Sequence, residues 1–342
     1  MSASSDVGFH AQRQARWHYG EAVFWLVVFA CGILFPTRYL IMTDILRLAL
    51  FAMSLDLILG YAGIVSLGHA AFFGVGAYAA GLLALHGIIN EPVLALIAAG
   101  LAAMVLGFAT SFLVIRGVDL TRLMVTLGIA LLLEALAERF SNITGGTDGL
   151  QGIEMQPIFG QIPFDMFGKA GFFYSLAVLF VLFLLARRIV HSPFGLSLRA
   201  IKNNPLRAAA IGIPVNRRLI AIYTLAAFYA GIAGALFTQT TAIASLDVFA
   251  FDRSADLMLV LVIGGTGYLY GGLIGAVIFR LLQEVFSTIT PQYWQFWIGL
   301  VLVVIVLVGR ARLHRWVLFL PNLVITRFAG RKAVVTVPEG DA

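Results

Sequence analysis

The chain has 342 residues, 61% of them hydrophobic and 12% charged, about half the charged share of an ordinary soluble domain. So few polar side chains could not cover the surface of soluble domains totalling this length, which excludes a soluble enzyme. Lys and Arg total 23 against 17 Asp and Glu, a net charge of +6, and a single cysteine, Cys31, excludes an internal disulfide.

In chain order, a polar stretch with Arg13 and Arg16 opens the sequence and reads as a cytoplasmic tail over residues 1–21. Apolar blocks follow at 22–35, 40–59, 64–85, 93–115, 123–140, 172–186, 219–240, 255–268, 272–289 and 294–308. They predict an all-α, polytopic transmembrane bundle of about ten spans over residues 22–310. Several blocks are shorter than a full span, so helices extend into flanking residues or are broken. Charge gives the orientation. The acid-free loop 187–218 carries Arg187, Arg188, Arg199, Lys202, Arg207, Arg217 and Arg218 and is assigned to the cytoplasm. The segment from Arg310 and Arg312 into a C-terminal tail, 311–342, is basic as well, whereas the loop 141–171 has Asp148, Glu154 and Asp165 against Lys169 alone. Both termini in the cytoplasm satisfy these signs, and +6 needs no nucleic-acid partner.

Residues 54–81 set six glycines beside Asp56, Ser66 and His69 at membrane depth. Non-helical backbone is tolerated there only where protein or a water-filled cavity satisfies it. Asp56, Gly63, Ser66, Gly68, His69, Phe72 and Gly76 are therefore candidates for a translocation path, and close helix packing is the competing account of the same glycines. For His69 the plainer reading is an interhelical hydrogen bond. A turn is expected at Thr144, Gly145, Gly146, Asp148 and Gly149 on the outer face. In the basic loop Asn204 is a good N-cap and Pro205 suits the first helical position, predicting a short helix to Ile213 with Gly212 near its end. Leu206, Ala209, Ala210 and Ile213 then form one apolar face, which needs a partner or a lipid surface. Gly264, Gly265, Gly267, Gly271 and Gly275 read as a tight turn with close helix packing. Two intramembrane pairs are expected, Asp44 with Arg47 and Arg280 with Glu284. The sequence holds no phosphate-binding G-x-x-x-x-G-K-[ST] loop and no metal-binding H-E-x-x-H.

The run GYAGIVSLGHAAFFGVGAYAAG at 60–81 closely resembles the signature of LivM-type permeases, membrane subunits of branched-chain amino-acid ABC importers. TGGTDGL at 144–150, SPFGLSLRAIKNNPLRAAAIGI at 192–213 and VLVIGGTGYLYGGLIGAV at 260–277 extend the likeness over nearly the whole chain. The resemblance implies a type II importer-like permease of the bacterial cytoplasmic (inner) membrane, itself non-catalytic and without a cofactor. ATP and Mg would be used by two ATP-binding partner subunits. A homologous LivH-type permease and a periplasmic or extracellular solute-binding protein are implied as further partners, with membrane lipid around the bundle. The same resemblance makes the helix at 204–213 the segment that docks on the ATPase, and puts the 144–149 turn near the solute-binding protein. Many relatives carry acidic residues within that helix where this chain has Pro205 and Ala209, so a charged contact is not expected there. Branched-chain amino acids are the first substrate expectation, with urea, amides and aromatic acids as alternatives. A secondary transporter or facilitator is the competing class, since Asp56 and His69 are ionisable groups within a span.

Overall fold

A computed structural model describes residues 19–308 apart from Met166. Arg13, Arg16, Arg310 and the 311–342 tail lie outside the described residues. Each apolar block of the sequence holds one helix. These are α1 (Tyr19–Leu34), α2 (Tyr39–Ala62), α3 (Ala70–Leu85), α4 (Pro92–Arg116), α5 (Asp119–Arg139) and α6 (Lys169–Val190). The basic loop adds α7 (Pro193–Asn203) and α8 (Pro205–Ala210), followed by α9 (Val215–Thr241), α10 (Phe251–Gly264), α11 (Leu269–Ile289) and α12 (Trp294–Val308). Among the described residues there is no strand, only isolated bridges such as Leu150 to Ala244. Six helices are long and apolar enough to cross a membrane: α2, α4, α5, α6, α9 and α11. The chain is a multi-pass membrane protein. α1, α3 and α12 are shorter apolar helices.

The chain divides into Met1–Leu281 and Leu282–Ala342. In the second unit Phe286 stacks on Trp297 at 6.3 Å, so the end of α11 and α12 are joined by aromatic contact. The first unit is built around α9. No hydrophobic force draws helices together in lipid, so association depends on close packing, which small residues permit. A Cβ on Gly76 of α3 would stand 2.1 Å from the Gly231 carbonyl oxygen of α9, and one on Gly107 of α4 would stand 2.3 Å from the Ala227 Cβ. Backbones of α3, α4 and α9 thus touch, and any larger side chain at these points would part them. α5 is the opposite case, with Leu120, Met124, Leu131 and Leu132 all exposed.

Two departures from the sequence expectation concern broken elements. The block at 64–85 is helical only from Ala70; residues 63–69 are non-helical. Gly63 takes a left-handed conformation (φ +74°) that closes α2, and the Ile64 amide returns to the Ile58 carbonyl at 2.9 Å. The block at 255–268 likewise ends as helix at Gly264, and residues 265–268 turn the chain into α11. Gly264, Gly271 and Gly275 face one another across that hairpin: a Cβ on Gly264 would meet the Gly271 carbonyl oxygen at 1.9 Å. One ion-pair contact was not foreseen. Asp44 pairs with Arg47 as expected, and Arg280 also reaches Asp44 (2.7 Å) across helices. The reason is that α11 closely approaches α2 at Gly272, where a Cβ would be 3.3 Å from the Met53 amide, and Arg280 follows two turns later.

Candidate functional site

The two ends of the first unit carry different loops. At one end the 144–149 turn is ordered as expected of its glycines: Gly145 (φ +75°) and Gly149 (φ +69°) are left-handed, and Leu150 pairs with Ala244 through bonds of 2.7 and 3.1 Å. Thr144 Oγ1 donates to the Ala137 and Phe140 carbonyls, and Asp148 is exposed. The basic loop forms the opposite end.

There α8 is built from its caps inward. Asn204 Oδ1 accepts the Arg207 amide at 2.9 Å, and Pro205 occupies the first turn. Gly212 (φ +87°) ends the helix, with the Ile213 amide on the Ala208 carbonyl at 3.0 Å. The helix stops at Ala210, so the face foreseen to Ile213 is shorter and includes the turn after it. Ala208 alone is buried; Leu206 is 82% exposed, Ile211 74%, and Ala209 and Ala210 are exposed beside them. Among the described residues nothing covers this apolar tip.

Behind the tip, α7 is fixed to the bundle. Its Leu198 and Ile201 are buried, Lys202 Nζ donates to the Gly60 carbonyl at 2.6 Å, and the Arg199 guanidinium lies 5.4 Å over the Tyr61 ring. One turn deeper in α2, Asp56 Oδ1 accepts the Gly267 amide at 2.7 Å. The loop, the end of α2 and the α10–α11 break are therefore linked in series. Gly60 is small of necessity: a Cβ there would meet Asp56 Oδ1 at 2.1 Å and the Gly267 amide at 2.5 Å.

The other candidates for a path collect around the non-helical 63–69 segment. Protein groups take up part of its hydrogen bonding, as backbone at this depth requires, while Ser66 Oγ and His69 Nδ1 are buried without a hydrogen-bond partner among the described residues. The Leu67 amide donates to Thr126 Oγ1 (3.2 Å), the Ala70 amide to Ser254 Oγ (2.9 Å), and His69 Nε2 bonds Ser54 Oγ (2.8 Å). Ser66, Gly68, His69, Phe72 and Gly76 are buried, and Gly63 is half-buried against Lys202. Thr126 and Ser254 are participants that sequence reasoning missed; a lone hydroxyl in an apolar helix gave no signal of its partner.

Multi-pass helices with a membrane-depth break and an uncovered apolar helix in a basic loop are the features of a transport permease. Residues 38–306 match the family described as branched-chain amino acid transport system / permease component, and the chain belongs to that family. It is 26% identical over 257 residues to the high-affinity branched-chain amino acid transport system permease protein LivM of Salmonella typhimurium and to that of Escherichia coli, covering 69% of this chain. The chain spans about 60% of the length of these curated relatives. It is also 27% identical over 253 residues to the probable branched-chain amino acid transport permease protein LivH of Methanocaldococcus jannaschii, covering 70% of this chain and 77% of the relative. No solved structure matches the chain.

Proposed function

We propose that the chain is the permease subunit of an ATP-binding-cassette importer of the bacterial inner membrane that moves branched-chain amino acids, or a related small solute, into the cytoplasm. The observation that carries this reading is α8, an apolar tip exposed at the end of the bundle that holds the basic loop. Burying Leu206 and Ile211 in a partner's groove would contribute roughly 1.5–3 kcal/mol each. That is enough to couple a docked subunit to the bundle without a charged contact.

In this reading ten membrane segments place both termini and α8 in the cytoplasm, where two ATP-binding subunits that use ATP and Mg dock. A homologous LivH-type permease completes the path, and a solute-binding protein delivers solute at the 144–149 end. Closure of the ATPases displaces α8. The displacement passes through Lys202 to the end of α2, and through Asp56 to the break at Gly267. Ligand energy moves the bundle only through different affinities for the inward- and outward-open states. The 63–69 segment borders the path, with Gly63, Ser66, Gly68, His69, Phe72 and Gly76 shaping it by backbone and packing.

The test replaces Leu206 and Ala210 with Asp and measures ATP-driven uptake in proteoliposomes of the assembled complex. Uptake is expected to fall at least tenfold while the purified chain keeps its melting temperature; unchanged uptake would remove the docking assignment. A secondary transporter is the second reading, favoured by the Asp44, Arg47 and Arg280 cluster within the helices. Accumulation by this chain alone under an ion gradient would select it. Binding assays on the co-purifying solute-binding protein separate amino acids from urea, amides and aromatic acids.

A further inference from the structure

A cavity of about 770 Å³ opens at the basic-loop end, between α1, α2, α6, α7 and the start of α11. Arg187, His191, Arg199 and Lys202 line it against one acid, Glu21, which is paired with Arg187. Among the described residues neither Arg199 nor Lys202 has a carboxylate partner: one lies over Tyr61 and the other is bonded to a carbonyl. The cavity therefore holds a surplus of positive charge. Tyr268 and Tyr270 stand at its wall, the amphipathic side chains that favour a membrane interface.

A second cavity, about 280 Å³ and apolar, lies between α1 and α6, lined by Trp25, Phe29, Phe173, Leu176, Ala177 and Phe180. It follows the first along the same two helices. Trp25 is one turn beyond Glu21 on α1, and Phe180 is about one turn before Phe183, which lines the basic cavity. From Arg187 back to Leu176 the rise along α6 is about 16 Å, the scale of an acyl chain. A cationic cavity followed along the same two helices by an aromatic-walled groove has the polarity order of one ligand, an acidic headgroup followed by a hydrocarbon tail.

We infer that this composite site binds an anionic glycerophospholipid, its phosphate among Arg199, Lys202, Arg187 and His191 and one acyl chain along Trp25, Phe29 and Phe180. Basic pockets between helices recognise lipid headgroups in this way, and a free phosphate would leave the groove unused. The lipid touches the residues that fasten α7 to α2, so it also stiffens the loop that carries α8.

The experiment is native mass spectrometry of the full chain titrated with phosphatidylglycerol or phosphatidylcholine, which needs no ATPase or solute and so stands or falls apart from the transport reading. Phosphatidylglycerol is expected to bind preferentially, and the double variant Arg199→Gln/Lys202→Gln to bind it about thirtyfold more weakly. Ala177→Trp, which fills the groove from an exposed position, is expected to weaken lipid binding without disturbing the core. Arg217→Gln, at an exposed cation elsewhere in the loop, is the control and is expected to change nothing. Equal binding of the two lipids, an equal loss in the control, or no loss in either test variant overturns the site. Displacement of the lipid by equimolar inorganic phosphate, with Ala177→Trp silent, assigns the charge to a soluble anion and overturns the lipid. Should the double variant fail to fold, a diazirine phosphatidylglycerol crosslinked to the unmodified chain decides the matter: labels belong on 21–29 and 173–202, and labels elsewhere refute the site.

Discussion

Asp44 stands between two guanidinium groups, paired with Arg47 and bonded to Arg280 at 2.7 Å. Arg47 is buried and also donates to Thr240 Oγ1 at 2.7 Å, while its guanidinium lies 5.0 Å over the Phe237 ring. A carboxylate shared by two cations is worth more to the fold than either pair alone, because removing it leaves like charges facing each other out of water. Removing one partner of a buried pair costs about 3–5 kcal/mol. Asp44→Ala is expected to lower the melting temperature markedly, and Arg280→Leu to lower it less because the Asp44–Arg47 pair survives. Equal losses would show that Asp44 serves Arg280 alone. The sequence disclosed half of this cluster. Asp44 and Arg47 are three residues apart on one helix, a spacing visible in one dimension, whereas Arg280 is 236 residues from Asp44 and nothing in its own neighbourhood named that partner.

α8 shows what short-range chemistry can foretell. Asn204, Pro205 and Gly212 are start and stop signals whose meaning is local, so the existence of the helix and its cap were legible before any tertiary contact was known. Its end was less so, because the last turn depends on where Gly212 takes its left-handed conformation. A helix of six residues is far below the length that holds in isolation, so its cap matters in proportion. Asn204→Ala is expected to cost about 1 kcal/mol of helix stability. Because α8 is peripheral, this should appear as a several-fold loss of ATP-driven uptake with little change in melting temperature; a large fall in melting temperature would place α8 in the core. The broken elements were the reverse case. Glycine density flagged the stretch around 63–69, but the partners that hold the break are hydroxyls on α5 and α10 which accept the Leu67 and Ala70 amides. Hydropathy counts apolar atoms and is blind to such donors and acceptors, so it drew one unbroken block there.

At the scale of the molecule, the alternation of helices about two chemically distinct ends is the feature that orientation acts on. With Cys31→Ser as background, Thr147→Cys should react with an impermeant maleimide in intact cells, and Asn216→Cys only after the membrane is permeabilised. Both positions are exposed, so the reverse pattern would invert the assignment of the basic loop to the cytoplasm. The ties at the basic end also impose an order on biosynthesis. The Gly60 carbonyl is bonded by a lysine 142 residues downstream, and Asp56 accepts an amide 211 residues downstream. While the ribosome is still delivering the first spans, the end of α2 has neither of these two contacts, and the Gly60 carbonyl must be held by water, lipid or the insertion machinery. Completion of this region is therefore a late event in insertion. Chains truncated before residue 202 should enter the membrane with α2 unlocked and open to proteolysis at 60–69, and those extended past 267 should resist it.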